Sequence, residues 1–207
     1  MHDDRLSMPI GEAMFTQRSI RRFRPDPIPV DHIRLILEAA VKAPNGGNNQ
    51  ITRFLVLTDR EAVRDLGELY REAWWAKRRD QYGWTGPADV PADNANYQSA
   101  MRLAEDMRDA PCVVLVLAVP PGGPHSVYPS AQNLMLAARA LGIGSVPTRL
   151  HPDVMDRLYE RFAIPSEVSL HFCIPLGYPK GRFGPTRRKP TAETCFFDRW
   201  DGPGPWA

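Results

Sequence analysis

Two short segments hold the residue types best suited to chemistry in this 207-residue chain. The first, Arg18-Ser19-Ile20-Arg21-Arg22-Phe23, concentrates guanidinium groups and a hydroxyl. Planar guanidinium groups meet phosphate oxygens in bidentate fashion. The second is Ala43-Pro44-Asn45-Gly46-Gly47-Asn48-Asn49-Gln50. Its glycines permit close backbone approach to a flat ligand. Its carboxamides present donors and acceptors together, matching the alternating N and C=O edge of a pyrimidine-like ring. Each segment also has a plainer reading. The arginines make a solvated basic turn or, with Thr186-Arg187-Arg188-Lys189, a nucleic-acid patch. The loop makes a helix terminator followed by a tight turn. Yet three consecutive carboxamides after Gly-Gly exceed what a turn needs. Together the segments supply a phosphate anchor and a polar edge-reader at fixed separation, as a mononucleotide cofactor requires.

No other residue set supports a competing chemistry. The five histidines, His2, His32, His125, His151 and His171, lack ligand spacing, so no metal site is expected. There is no Gly-x-Ser-x-Gly elbow and no phosphate loop of Walker or Rossmann form. No side chain is therefore assigned as catalytic; a bound cofactor would carry the reaction while the protein binds, orients and polarises it. The net charge of +2, from 26 basic and 24 acidic residues, provides no global field toward nucleic acid or anionic membrane. The longest purely apolar run, Cys112 to Val119, is too short to span a bilayer. Cys112, Cys173 and Cys195 form no C-x-x-C pair, and the N-terminal Met1-His2-Asp3-Asp4-Arg5 lacks a leader-like apolar stretch. Both features set a cytoplasmic expectation.

The elements that must position the two segments follow from periodicity. A short helix over 9–17 should turn Ile10, Ala13, Met14 and Gln17 to one side. Pro25, Pro27 and Pro29 force an extended lead-in. The spacing of Ile33, Ile36, Leu37, Ala40 and Val41 predicts an amphipathic helix over 32–43, capped by Asp31, with Val30 stapled onto Leu35. A buried strand over 53–58 leads into a helix capped at Thr58 or Asp59, with Val63, Leu66, Tyr70, Ala73 and Trp74 inward. Gly83, Gly86, Pro87 and Pro91 mark an excursion over 82–93. A helix over 94–108, a strand over 112–119 and a helix over 128–141 follow. A short strand over 145–148, a helix over 153–163 and a last strand over 170–176 complete the pattern. Strict βαβ alternation is missing, so the expected class is α+β. The tail from Gly177 carries Phe183, Phe196, Phe197, Trp200 and Trp206 among prolines and glycines; these aromatics pack either on their own core or across a second subunit.

The order of these motifs resembles the nitroreductase-like FMN flavoproteins. That family carries an Arg-Ser-hydrophobe-Arg segment, a proline-led helix, an Ala-Pro-small-small-x-Asn-x-Gln loop and then a strand. Gln132-Asn133-Leu134 through Ala138-Arg139-Ala140-Leu141-Gly142-Ile143-Gly144-Ser145 is similar to its central helix and exit. Ile174-Pro175-Leu176-Gly177-Tyr178-Pro179 and Arg188-Lys189-Pro190 resemble its closing strand and phosphate arginine. The resemblance covers about residues 10–195. It implies one FMN-binding domain over 1–207, with a central mixed or antiparallel sheet flanked by helices. Residues 177–207 would form an extended arm on the partner of a homodimer with shared active sites.

Carried over by residue, it implies that Arg18 and Arg188 hold the FMN phosphate, and that Ser19 and Arg21 reach the ribityl and pyrimidine side. Pro44, Asn45, Gly46, Asn48 and Gln50 would contact the flavin, in part across the dimer. The backbone of Pro147, Thr148 and Arg149 would lie along the ring near N5. The implied activity passes hydride from NADH or NADPH through flavin N5 to a nitroaromatic or quinone in alternating half-reactions. Dehalogenation, flavin fragmentation, ring dehydrogenation and non-catalytic flavin binding are the alternatives. Gln17, Asn49, Ile51, Thr52 and Arg149 depart from commoner family residues and bear more on the substrate pocket than on the cofactor.

Overall fold

The structure, a computed structural model, describes residues 4–205. Its frame is a four-stranded sheet of order β1-β2-β4-β3, with every neighbouring pair antiparallel. The strands are β1 (Thr52–Leu57), β2 (Cys112–Ala118), β3 (Gly144–Ser145) and β4 (Ser169–Gly177). The β1–β2 register sets Thr52 opposite Ala118 and Val56 opposite Val114. That of β2 and β4 begins at Cys112 opposite Leu176 and shifts between Val116 and Leu117.

Strand β2 is buried along its whole length because both faces of the sheet are covered. Its alternation distributes the core. Val113, Leu115 and Leu117 meet Val63, Leu66 and Met107 on one face. Val114 and Val116 meet Ile36, Leu134 and Ile174 on the other. The first face is covered by α3 (Arg60–Tyr82) and α4 (Ala95–Asp106), the second by α2 (Val30–Ala40) and α5 (Pro124–Ala140). Two short helices, α1 (Ile10–Thr16) and α6 (Met155–Arg161), complete the set. The expected α+β class with helices flanking the sheet holds. Among the described residues, no helix is long and apolar enough to cross a membrane.

Local chemistry explains the element ends. Asp59 caps α3, its Oδ1 accepting from the N–H groups of Glu61 and Ala62 at 3.1 and 3.0 Å. Gly83, at φ 72°, closes the same helix in the left-handed region. Two starts differ from the sequence reading. Helix α2 begins at Val30 with Pro29 as its cap, because the fixed φ of proline feeds directly into the first turn. Asp31 therefore sits inside that turn rather than capping it, and Val30 is exposed instead of stapled. Helix α5 begins at Pro124 rather than near 128 and carries Pro129 in its second turn. On α1 only Ala13 is buried, leaving Ile10 and Met14 exposed. In the tail Phe196 and Phe197 are exposed and Trp200 is 85% exposed. Trp206, like Met1 to Asp3, lies outside the described residues.

Candidate functional site

The arginine segment runs as an extra extended strand beside β3. Ser19 bridges Ser145 in parallel sense, and the Ile20 N–H donates to the Ser145 carbonyl at 2.9 Å. Further along, the Arg24 N–H donates to Tyr178 at 2.8 Å and the Lys180 N–H to Arg22 at 3.0 Å. Ile20 presses onto Gly144, where a Cβ would lie 2.6 Å from its Cγ2. A side chain at 144 would push the segment off the sheet. This pairing fixes Arg18, Ser19 and Arg21 relative to Pro147–Arg149, the chain that leaves β3.

Arg21, Pro147, Thr148 and Arg149 meet in one cavity of about 400 Å³, a volume in the range of small-molecule sites. Its opposite wall comes from α3: Tyr70, Trp74, Lys77 and Arg78. Thr148 is fixed by exchanging backbone hydrogen bonds with Cys173 at 3.1 and 2.9 Å, and its hydroxyl donates to the same carbonyl. Burial lowers the pKa of the half-buried Arg21, and the neighbouring Arg18 cation adds to that effect against the opposing influence of Tyr70. Burial pushes Tyr70 well above the usual phenol range, so it faces the cavity as a neutral phenol. The Arg149 guanidinium donates to the Tyr128 hydroxyl and lies 5.6 Å from the centre of the Phe172 ring.

The carboxamide loop lines a different cavity of the same chain, of about 440 Å³, with Asn45, Asn48, Gln50, Thr52 and Ser130. Asn45 Oδ1 accepts from the Gln50 N–H at 2.8 Å, and the Gly46 N–H donates to Ser126 Oγ at 3.1 Å. Asn48 and Gln50 hold positive φ values of 53° and 49°, a strained local path that turns their amides outward. Thr52 Oγ1 is buried there without a partner. Pro44 and Gly46 are exposed beside it. The two cavities share no lining residue, so within one chain the carboxamide loop and Arg21 line separate spaces.

Arg188 lies on the exposed tail, its guanidinium donating to the Arg187 carbonyl at 2.8 Å. The tail does approach the arginine segment: the Thr186 N–H donates to the Phe15 carbonyl at 3.4 Å, and Arg139 lies 4.3 Å over Phe183. Lys77 and Arg78 are cavity residues that sequence reasoning missed. Their signal was the four-residue spacing of Tyr70, Trp74 and Arg78, which puts a cation on an aromatic helix face.

Other candidates fall to structural roles. His151 is held between Asp80, 3.0 Å from Nε2, and Asp153, 3.1 Å from Nδ1. Burial pushes the Cys112 thiol up to about 12, far from thiolate reactivity at neutral pH. No group of three or more metal-binding side chains is gathered among the described residues.

Comparison with known proteins places this geometry in context. A sequence profile described as "Nitroreductase family" matches residues 15–178. A NADH dehydrogenase of Thermus thermophilus is 29% identical over 202 residues, spanning 89% of this chain and 94% of its own. An iodotyrosine deiodinase of Thermotoga neapolitana is 26% identical over 165 residues, spanning 79% of this chain and 84% of its own. The FMN-dependent nitroreductase NfnB of Mycobacterium smegmatis, solved in complex with NADPH, superposes with a TM-score of 0.70 at 25% identity. That alignment covers 94% of this chain and all of that one, at 100%.

Proposed function

The chain belongs to the nitroreductase family, and from that premise we propose that it is an FMN-dependent oxidoreductase. In this reading it transfers hydride from NADH or NADPH to a nitroaromatic or quinone. The observation that carries the proposal is the meeting of Arg21 with the Pro147–Arg149 chain in one cavity whose lining contains several cations and no carboxylate.

The residues fit the cofactor. Arg21 is a half-buried cation, suited to the electron-rich N1 and C2=O edge of a flavin. Thr52 Oγ1, beside the carboxamide loop, is a buried polar atom left without a hydrogen-bond partner in the single chain. FMN, when bound, supplies the hydride chemistry. Arg21 holds positive charge where electron density accumulates on reduction. Pro147 and Thr148 offer a fixed backbone floor. Arg18 and Arg188 take the phosphate, the tail being led toward Arg18 by the Thr186–Phe15 hydrogen bond. Tyr70 and Trp74 exclude water from the inner wall.

The site lies at the seam of a homodimer, with Arg21 and Thr148 from one protomer and the Asn45–Gln50 loop from its partner. Two features support this. The two residue clusters occupy separate cavities in one chain. Apolar groups also stand exposed on α1 and the tail, among them Phe15 and Trp200. Residues 1–207 then act as one domain. Contrary to the sequence expectation for the whole arm from 177, its first part packs on its own chain through Lys180–Arg22 and Thr186–Phe15. Only its exposed end, with Phe196, Phe197 and Trp200, lies on the partner.

Initial rates of NADH or NADPH oxidation, with a nitroaromatic or quinone as acceptor, test the reading. It predicts parallel double-reciprocal lines, the pattern of alternating half-reactions. Absence of dinucleotide oxidation would overturn it. Turnover of an aryl halide alone would move the chain to dehalogenation.

A further inference from the structure

The Arg21 cavity holds more positive charge than a flavin edge uses. Four cations line it, Arg21, Lys77, Arg78 and Arg149, and no Asp or Glu does. Elsewhere on α3, Arg71 pairs with Glu105 at 2.6 Å and Arg79 with Asp80 at 2.9 Å, while the exposed Arg64 has no carboxylate partner among the described residues. Among the described residues, none of the four cavity cations has a carboxylate within 4.0 Å.

Two of the four are also braced. Arg78 lies 5.1 Å over the Trp74 ring and 5.0 Å over Tyr97, and its side-chain acceptor among the described residues is the neutral Gln81 at 2.7 Å. Its Nε is buried with no hydrogen-bond partner. Arg149 lies 5.7 Å over Tyr128 and 5.6 Å over Phe172. Contact with aromatic rings restricts a guanidinium plane, which lowers the ordering cost of gripping a planar anion. Arg78 donates one N–H to Gln81 and Arg149 one to Tyr128, and their other N–H groups have no acceptor among the described residues. Arg78 is half-buried, and an unpaired, partly desolvated cation is unfavourable until such a ligand arrives; Arg149 is exposed and adds its charge without that cost.

We propose that Arg78 and Arg149 form a receptor for an anionic oxygen group on the electron acceptor, so that aromatic carboxylates are taken in preference to their neutral analogues. This rests on the flavin reading above, because Arg21 is assigned to the cofactor and the acceptor must lie beside it. The diphosphate of the dinucleotide is a second source of the same chemistry, and the test separates the two.

Binding is measured by calorimetry on the oxidised, FMN-loaded protein without reductant, so that no turnover occurs. The probes are 4-nitrobenzoate, 4-nitrobenzamide and NADPH. The expected ratio of benzoate to benzamide affinity is about ten- to a hundredfold, the worth of one charge-assisted contact. In Arg149→Gln, at an exposed position that folds readily, and in Arg78→Gln/Arg149→Gln, the ratio falls toward one; Arg149→Lys restores most of it. A ratio near one in the parent protein overturns the proposal, as does a ratio that survives the double substitution. Loss of NADPH affinity with an intact acid preference also overturns it, assigning the cations to the dinucleotide. If the chain takes up no FMN, the flavin reading fails separately. The same two nitro probes on the colourless chain then decide the receptor by the same ratio.

Discussion

Replacing Arg21 by methionine separates a cofactor contact from a structural one. The guanidinium is half-buried, and both burial and the Arg18 cation act against its charge. No carboxylate compensates it among the described residues. Methionine keeps the apolar stem and removes the charge, so the flavin-free protein should lose no stability on substitution. FMN binding should weaken by about ten- to a hundredfold, since a charge-assisted hydrogen bond is worth about 1.5–3 kcal/mol and each 1.4 kcal/mol is tenfold. If the same cation favours the reduced cofactor by about 1.4 kcal/mol, the midpoint potential should fall by about 30 mV. The assay is quenching of FMN fluorescence on titration with flavin-free protein, paired with a thermal melt. Arg22→Met is the control, since Arg22 is exposed and does not line the cavity. A dissociation constant within twofold of the parent would refute the reasoning. So would a drop in Tm with unchanged affinity.

Three further outcomes follow from the geometry. Gly144→Val should displace the Ile20 side chain from its 2.6 Å approach, costing about 1–3 kcal/mol in a denaturant melt and reducing FMN uptake; adding Ile20→Ala should recover part of both. Asp59→Ala removes the cap of α3 and should cost about 1 kcal/mol by the same melt, with the cavity residues some turns away left in place. Ending the chain after Lys189 removes Phe196, Phe197 and Trp200, exposed in the single chain, and should raise the dimer dissociation constant in sedimentation equilibrium. An unchanged constant would place the arm elsewhere.

Much of the fold was legible because periodicity is local. The inner face of α3 was read as Val63, Leu66, Tyr70, Ala73 and Trp74, and all five are buried. The apolar run at 112–119 became the central strand. The starts of α2 and α5 were misplaced because proline acts as a breaker inside a helix but as a starter at its first turn. Strand order was not readable, since the pairing of β2 with β4 depends on contacts some sixty residues apart. At the site, Arg21 and Pro147–Arg149 were read in advance and do meet. Lys77 and Arg78 were not, because charges on a long polar helix look like a solvated face until the opposing strand is placed. The carboxamide loop was singled out, yet in one chain it lines a separate cavity from Arg21, which the proposed dimer would bring together.

The most direct test is stoichiometric reconstitution. Flavin-free protein is titrated with FMN, and bound cofactor is counted by absorbance across the size distribution. Two FMN per dimer and none on monomer is the predicted result. A chain that stays colourless, or that binds FMN fully as a monomer, would contradict a flavin site shared between protomers.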